Sequence, residues 1–267
     1  MFSPFQNCWD RVDRAEVHRQ SLINRWNAFD TTQAYASRPE VDSDGTGRFF
    51  LEPVKRDWVL PFSLELGEML YQLRSALDSC VYDAAALKFG SDPPPNAQQW
   101  QLPITSDPAD FKEAIRRMKD IPPDIAAIIE RVQGYSGLAC RFDGKQFDLG
   151  TMLVALNNWA RIDRHRKLHL VGTALTGGSL VIGYPIEMGI EYCHFVGSDI
   201  LENQSEIARF KISNFVPGAT LHFQPKFALE IMVDEVPRAR LQEMALGMGI
   251  GVSAVREMFE NHFGITR

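Results

Sequence analysis

An α+β fold is the class this sequence predicts, and three observations predict it. Apolar positions recur at helical spacing through most of the first 168 residues. Residues 168–233 then break into short β-rich runs separated by glycines and turn residues, and helical spacing returns from Pro237 to about 263. Runs of helices followed by runs of strands indicate segregated layers rather than an alternating βαβ sheet. The expected order is a helical N-terminal half containing a β-hairpin, an antiparallel β-rich C-terminal half laid out as a meander, and a closing C-terminal helix.

The first helix is expected over 8–29, from Trp9, Val12, Val17, Leu22, Ile23, Trp26 and Phe29. Extended runs near 32–41 and 47–56 flank Asp42-Ser43-Asp44-Gly45-Thr46-Gly47, which predicts a hairpin turn. The clearest helix covers 62–88, where Leu66, Met69, Leu70, Leu73, Leu77, Cys80, Val81 and Ala84 form one stripe. Gly90 stands where a C-cap is wanted, and Pro93-Pro94-Pro95 forbids continuation. An irregular segment over 91–107 follows. Asp107 then reads as an N-cap before Pro108, and Pro122 opens another helix carrying Ile125, Ile128, Ile129 and Val132.

Residues 134–147 read as loop and 148–168 as helix. The β-rich runs are 168–175, 179–186, 189–196, 206–213, 219–224 and 227–233, with turns expected at Thr176-Gly177-Gly178 and Val216-Pro217-Gly218. Gly247, Gly249 and Gly251 each cost roughly 1 kcal/mol against Ala inside a helix, so a kink or break is expected there. The change of pattern near 170 marks either a boundary between regions 1–169 and 170–267 or one sheet packed by the helices in a single domain 1–267.

Composition narrows the function classes. In 267 residues, 28 Lys and Arg stand against 34 Asp and Glu, a net charge of −6, so bulk attraction to nucleic acid or an anionic membrane is not expected. No apolar run approaches the roughly 18 residues of a membrane span, and Met1 to Asp10 has neither a basic n-region nor an apolar h-region, so a secretory signal is not expected there. Cytoplasmic location is the default. Cys8, Cys80, Cys140 and Cys193 are too scattered for a zinc ribbon, and Cys80 reads as a buried free thiol. Gly247-Met248-Gly249-Ile250-Gly251 lacks the spacing and the preceding strand of a dinucleotide loop, so helix packing or a hinge is the better reading.

One place departs from a plain core pattern. Met152, Leu153, Leu156, Trp159 and Ala160 form an apolar face whose continuation lands on Asp163. A buried carboxylate is costly unless paired. Arg74, four residues before Asp78 beside the stripe of the 62–88 helix, is the expected partner, with Asp78 facing Arg164 or Arg166. Arg161, Arg164, Arg166 and Lys167 form the densest basic patch, which either attracts phosphate or complements a helix C-terminus. Asn157, Asn158, His165 and His169 lie in the same stretch. His165 and His169 share a face at the spacing of zinc pairs, but Arg166 and Lys167 between them repel a cation, so neither a metal nor another cofactor is expected.

Two resemblances attach to these residues. Leu73-Arg74-Ser75-Ala76-Leu77-Asp78, followed by Asn157-Asn158-x4-Asp163-Arg164-His165-Arg166, resembles an uncharacterised bacterial and phage family with an L-R-S-A-L-D-H helix and an N-N-x-x-D-K-H-R segment. The likeness spans most of the chain and brings no established activity; Ser79 stands here where that family usually has His. Arg164-His165-Arg166-Lys167-Leu168-His169 is similar to the R-polar-x3-H signature of HEPN-type ribonucleases. That resemblance implies a metal-independent endoribonuclease acting on RNA, usually as a homodimer. Arg164 would stabilise the phosphorane charge and His169 would be the general acid or base, beside His165. The competing expectation is a non-enzymatic binding or assembly protein, in which the Asp163 cluster is structural and the strands present the contact surface. A hydrolase lacks a nucleophile–base pair, Ser75 and Ser79 being isolated candidates.

Overall fold

The computed structural model describes residues 3–29, 35–53, 59–165, 171–185, 187–196, 201, 204–233 and 239–265. Helices segregate from antiparallel sheets, so the molecule is α+β. The helices are α1 (Gln6–Asn27), α2 (Val59–Phe89), α3 (Pro108–Arg117), α4 (Pro123–Arg131), α5 (Leu149–His165) and α6 (Leu241–His262). The strands are β1 (Tyr35–Val41), β2 (Thr46–Pro53), β3 (Ala139–Phe142), β4 (Lys145–Asp148), β5 (Val171–Gly183), β6 (Gly189–Phe195), β7 (Ser205–Ser213), β8 (His222–Val233) and β9 (Ala239–Arg240).

Local chemistry sets the helix ends. Gly90 adopts φ +64°, and the Ser91 and Gly90 N–H groups donate to the carbonyls of Ala86 and Leu87 at 3.1 and 3.3 Å. That is a Schellman close, and it satisfies carbonyls that α2 would otherwise orphan. The Asp107 carboxylate accepts the Ala109 N–H at 2.6 Å, with Pro108 at the first helical position of α3. In α1 the buried side chains are Cys8, Ala15, His18 and Leu22. Val17, expected on the apolar face, is 55% exposed; the buried stripe runs through its neighbour His18.

Among the described residues two apolar cores form. The helical core is built by α1, α2, α5 and α6 with side chains of α3 and α4, and the second lies among the strands around Phe49, Leu51, Ile207, Phe210, Ile182 and Leu229. Trp26 of α1 packs against both. The four-stranded sheet has the order β1-β2-β7-β6, so the early hairpin pairs with the later strands. α6 meanwhile returns to lie on α1, α2 and α5. The Tyr35 and Thr173 hydroxyls, both buried, meet at 2.5 Å and tie β1 to β5. Position 170 itself lies outside the described residues.

Several expectations need correction. The strands after α5 are no simple meander: β6–β7 extends the N-terminal hairpin, while β5 pairs with β8 and β8 with β9. Thr176-Gly177-Gly178 is not a turn but a bulge within β5, between Leu175 and Gly177. The runs 219–224 and 227–233 merge into β8. β9 pairs with β8 at Met232 and Val233, so among the described residues β8 is paired only with β5 at Pro225, where a missing N–H is tolerated. The loop expected at 134–147 contains the β3–β4 hairpin, turned at Asp143-Gly144 with φ of 48° and 73°; two successive positive φ values are what a two-residue hairpin turn needs.

The C-terminal helix runs unbroken across its three glycines. A Cβ at Gly247 would sit 2.6 Å from the Met152 sulfur, and one at Gly251 would sit 3.2 Å from Leu149 Cδ1. These two glycines let α5 approach closely, and that packing offsets their low helix propensity.

Candidate functional site

The polar cluster expected between the 62–88 helix and the Asp163 helix is present in part. Arg74 is only 9% exposed. Its Nη1 donates to Asp78 Oδ1 at 2.6 Å, its Nε to Asn157 Oδ1 at 3.3 Å, and its Nη2 to the Leu102 carbonyl at 2.9 Å. Asp78 Oδ1 also accepts the Leu102 N–H at 3.0 Å. Arg74 and Asp78 together therefore hold both backbone groups of a fully buried residue in the irregular segment after α2.

Gln133, wholly buried, extends the same device. Its Nε2 donates to the Pro103 carbonyl at 2.9 Å, and its Oε1 accepts the Thr105 N–H at 2.8 Å. Residues 102–105 thus bury backbone without belonging to a helix or sheet, and side chains supply the partners that a ladder would supply elsewhere. This requirement explains why charged groups border the apolar stripe of α2. The arrangement chemically does one thing well: it fixes the 102–105 strap to α2 and to Gln133, just past the end of α4.

The other predicted residues divide by location. On α5, Leu153, Leu156, Trp159 and Ala160 are buried as the stripe predicts, Met152, Asn157 and Asn158 are half-buried, and Arg161 is exposed. α5 continues through Asp163, Arg164 and His165, whose side chains lie outside the described residues, as do Arg166, Lys167 and His169. The anticipated contacts of Asp163 with Arg74, and of Asp78 with Arg164 or Arg166, fall on those side chains. Ser79 donates to the Ser75 carbonyl at 2.9 Å and accepts from Asn7 at 3.2 Å, so its hydroxyl is committed to the α2 backbone and to α1 rather than to a base. Among the described residues no group of three or more His, Cys, Asp or Glu is placed to hold a metal ion.

Three polar constellations escaped the sequence reading. His18 Nδ1 lies 2.7 Å from Glu65 Oε1, joining α1 to α2 with the histidine buried. Cys8 and Cys80 bring their sulfurs within 3.1 Å in the helical core, and burial pushes the Cys80 thiol up. Arg256 is 3% exposed and sits over Trp9, with Cζ 3.1 Å from the ring centroid. Glu260, also buried, accepts the Trp9 indole N–H at 2.8 Å. A signal existed for the last: Arg256 and Glu260 interrupt the stripe Val252, Val255, Phe259 just as Asp163 interrupts its own.

Compared with family models, curated proteins and solved structures, the chain matches none of them. No described helix is long and apolar enough to cross a membrane.

Proposed function

We propose that this protein is a non-enzymatic binding or assembly protein in which the polar cluster around Arg74 is structural. The observation that carries the reading is the commitment of Arg74: its Nε, Nη1 and Nη2 all donate inside the fold, to Asn157, Asp78 and Leu102. A guanidinium meant for phosphate keeps its fork open toward substrate. The contact surface in this reading is the strand region, where Val181 and Ile190 present apolar side chains to solvent, together with Tyr184 just after β5.

The alternative is a metal-independent endoribonuclease acting on RNA as a homodimer, with Arg164 and His169 as the catalytic pair and His165 beside them. One observation favours it: Arg161, the member of this basic patch whose side chain is described, is exposed on α5 and open to a phosphate. Incubating the pure protein with total RNA in the presence of EDTA separates the two readings. Intact RNA at any protein concentration is the expected result. Cleavage that disappears in His169→Ala and Arg164→Ala would sink the binding reading and establish the nuclease.

A further inference from the structure

Cys8 of α1 and Cys80 of α2 meet in the helical core, their sulfurs 3.1 Å apart and both residues fully buried. Both are free thiols. A disulfide bond is about 2.05 Å long, so roughly 1 Å of approach separates this pair from one. The other two cysteines lie elsewhere: Cys140 is on β3 with its sulfur 3.7 Å from the Phe147 carbonyl, and Cys193 is on β6 beside the strand core.

The backbones that carry the two sulfurs are fixed from both sides. The Phe5 N–H donates to Asp83 Oδ2 at 2.7 Å, and the Asn7 side-chain amide donates to Ser79 Oγ at 3.2 Å. Residues 5–8 are thereby held against residues 79–83, so the remaining gap closes by side-chain rotation, without sliding one helix along the other. Access differs between the two sulfurs. Cys80 lies in the interior of a helix of 31 residues, whereas Cys8 lies in the first turn of α1. The N-cap of that turn, Phe5, adopts φ 61° and makes no side-chain cap hydrogen bond. A helix end opens at lower free energy than a helix interior, so opening of this turn uncovers Cys8 first. While the turn is closed the pair is inert, because burial pushes the Cys80 thiol up and keeps it protonated.

We propose that Cys8 and Cys80 are a redox pair that hydrogen peroxide converts to a disulfide, clasping α1 to α2. Cys8, uncovered and deprotonated, attacks one peroxide oxygen. The O–O bond breaks, and the leaving hydroxide takes up a proton as water, which leaves the Cys8 sulfenic acid. As the turn recloses, the Cys80 sulfur attacks the Cys8 sulfur. The S–S bond forms, the S–O bond breaks, and the hydroxyl departs with the Cys80 proton as a second water. Two thiols are oxidised by two electrons and one peroxide is reduced to two waters. The pair uses neither the Arg74 cluster nor the Arg164 region, so the inference stands under either reading of function.

The test treats the reduced full chain with hydrogen peroxide in native buffer, and measures the intact mass. The protein is then unfolded, alkylated and digested for peptide mapping. The mass is expected to fall by that of two hydrogens, a peptide joining Cys8 to Cys80 appears, and dithiothreitol reverses both. The new bond links residues 72 apart and restricts the unfolded chain, so the thermal midpoint of the oxidised protein rises by about 5 °C or more. Cys8→Ala loses the cross-link and the shift, while Cys140→Ser combined with Cys193→Ser keeps both. Peptide mapping of the wild type decides the matter even if Cys8→Ala fails to fold. Recovery of both residues as alkylated thiols, Cys8 trapped as a sulfinic acid, Cys8 joined instead to Cys140 or Cys193, or an oxidised protein that melts no higher than the reduced one would each overturn the proposal.

Discussion

Asp83 illustrates how a single buried group sets a measurable property. Its carboxylate accepts the Phe5 N–H at 2.7 Å, yet burial outweighs that bond and pushes its pKa up to about 6. A group whose folded pKa lies above its ordinary value of 3.8 binds the proton more tightly when folded. Its contribution is therefore fully present below about pH 4 and is lost as pH rises through 6. Urea denaturation at pH 4.5 and 7.5 is expected to show a loss of about 2 kcal/mol in the wild type relative to Asp83→Asn. Asn keeps the acceptor for Phe5 but cannot ionise, so equal pH slopes in the two proteins would refute the assignment. Arg74→Ala strips a partner from Asn157, from the Leu102 carbonyl and from Asp78. A loss of about 2–4 kcal/mol is expected by the same method, tempered by the partial exposure of Asp78. Activity on RNA, if any were seen, would have to be compared at equal folded fraction.

The C-terminal helix shows how one residue type takes opposite meanings within a turn and a half. Gly249→Ala adds a methyl into open space and is expected to stabilise by about 1 kcal/mol. Gly247→Ala gains the same propensity but forces Met152 and Phe147 to move. It is expected to fall short of Gly249→Ala by about 1–2 kcal/mol in thermal or chemical denaturation. Identical shifts in the two variants would mean that α5 and α6 are not in close contact. The periodicity of α2 and α5 was legible because a helix stripe is a property of neighbours three and four apart. The β3–β4 hairpin was readable in principle from Asp143-Gly144, but its strands are too short to show alternation. The bulge in β5 looks like a turn in the sequence because Gly-Gly suits both.

Interleaving governs the behaviour of the molecule as a whole. The N-terminal hairpin finishes the sheet of β7 and β6, and the C-terminal helix finishes the core of α1, α2 and α5. A fragment of residues 1–169 would leave β2 with an unpaired edge and the helical core without Val252, Val255 and Phe259. Expressed separately, it is expected to aggregate or to lack a cooperative unfolding transition. A soluble fragment melting cooperatively near the full chain would show instead that the two regions fold independently.

Local patterning in this chain determined the fold class, the major helices and the caps at Gly90 and Asp107. Each of those is decided by residues within a few positions of one another. Tertiary structure decided the rest: that the first hairpin pairs with β7, that Arg74 straps Leu102, and that Trp9 and Arg256 meet from opposite ends of the chain. Such contacts depend on which apolar faces find each other when water is excluded, and that choice leaves no mark at any fixed spacing along the backbone.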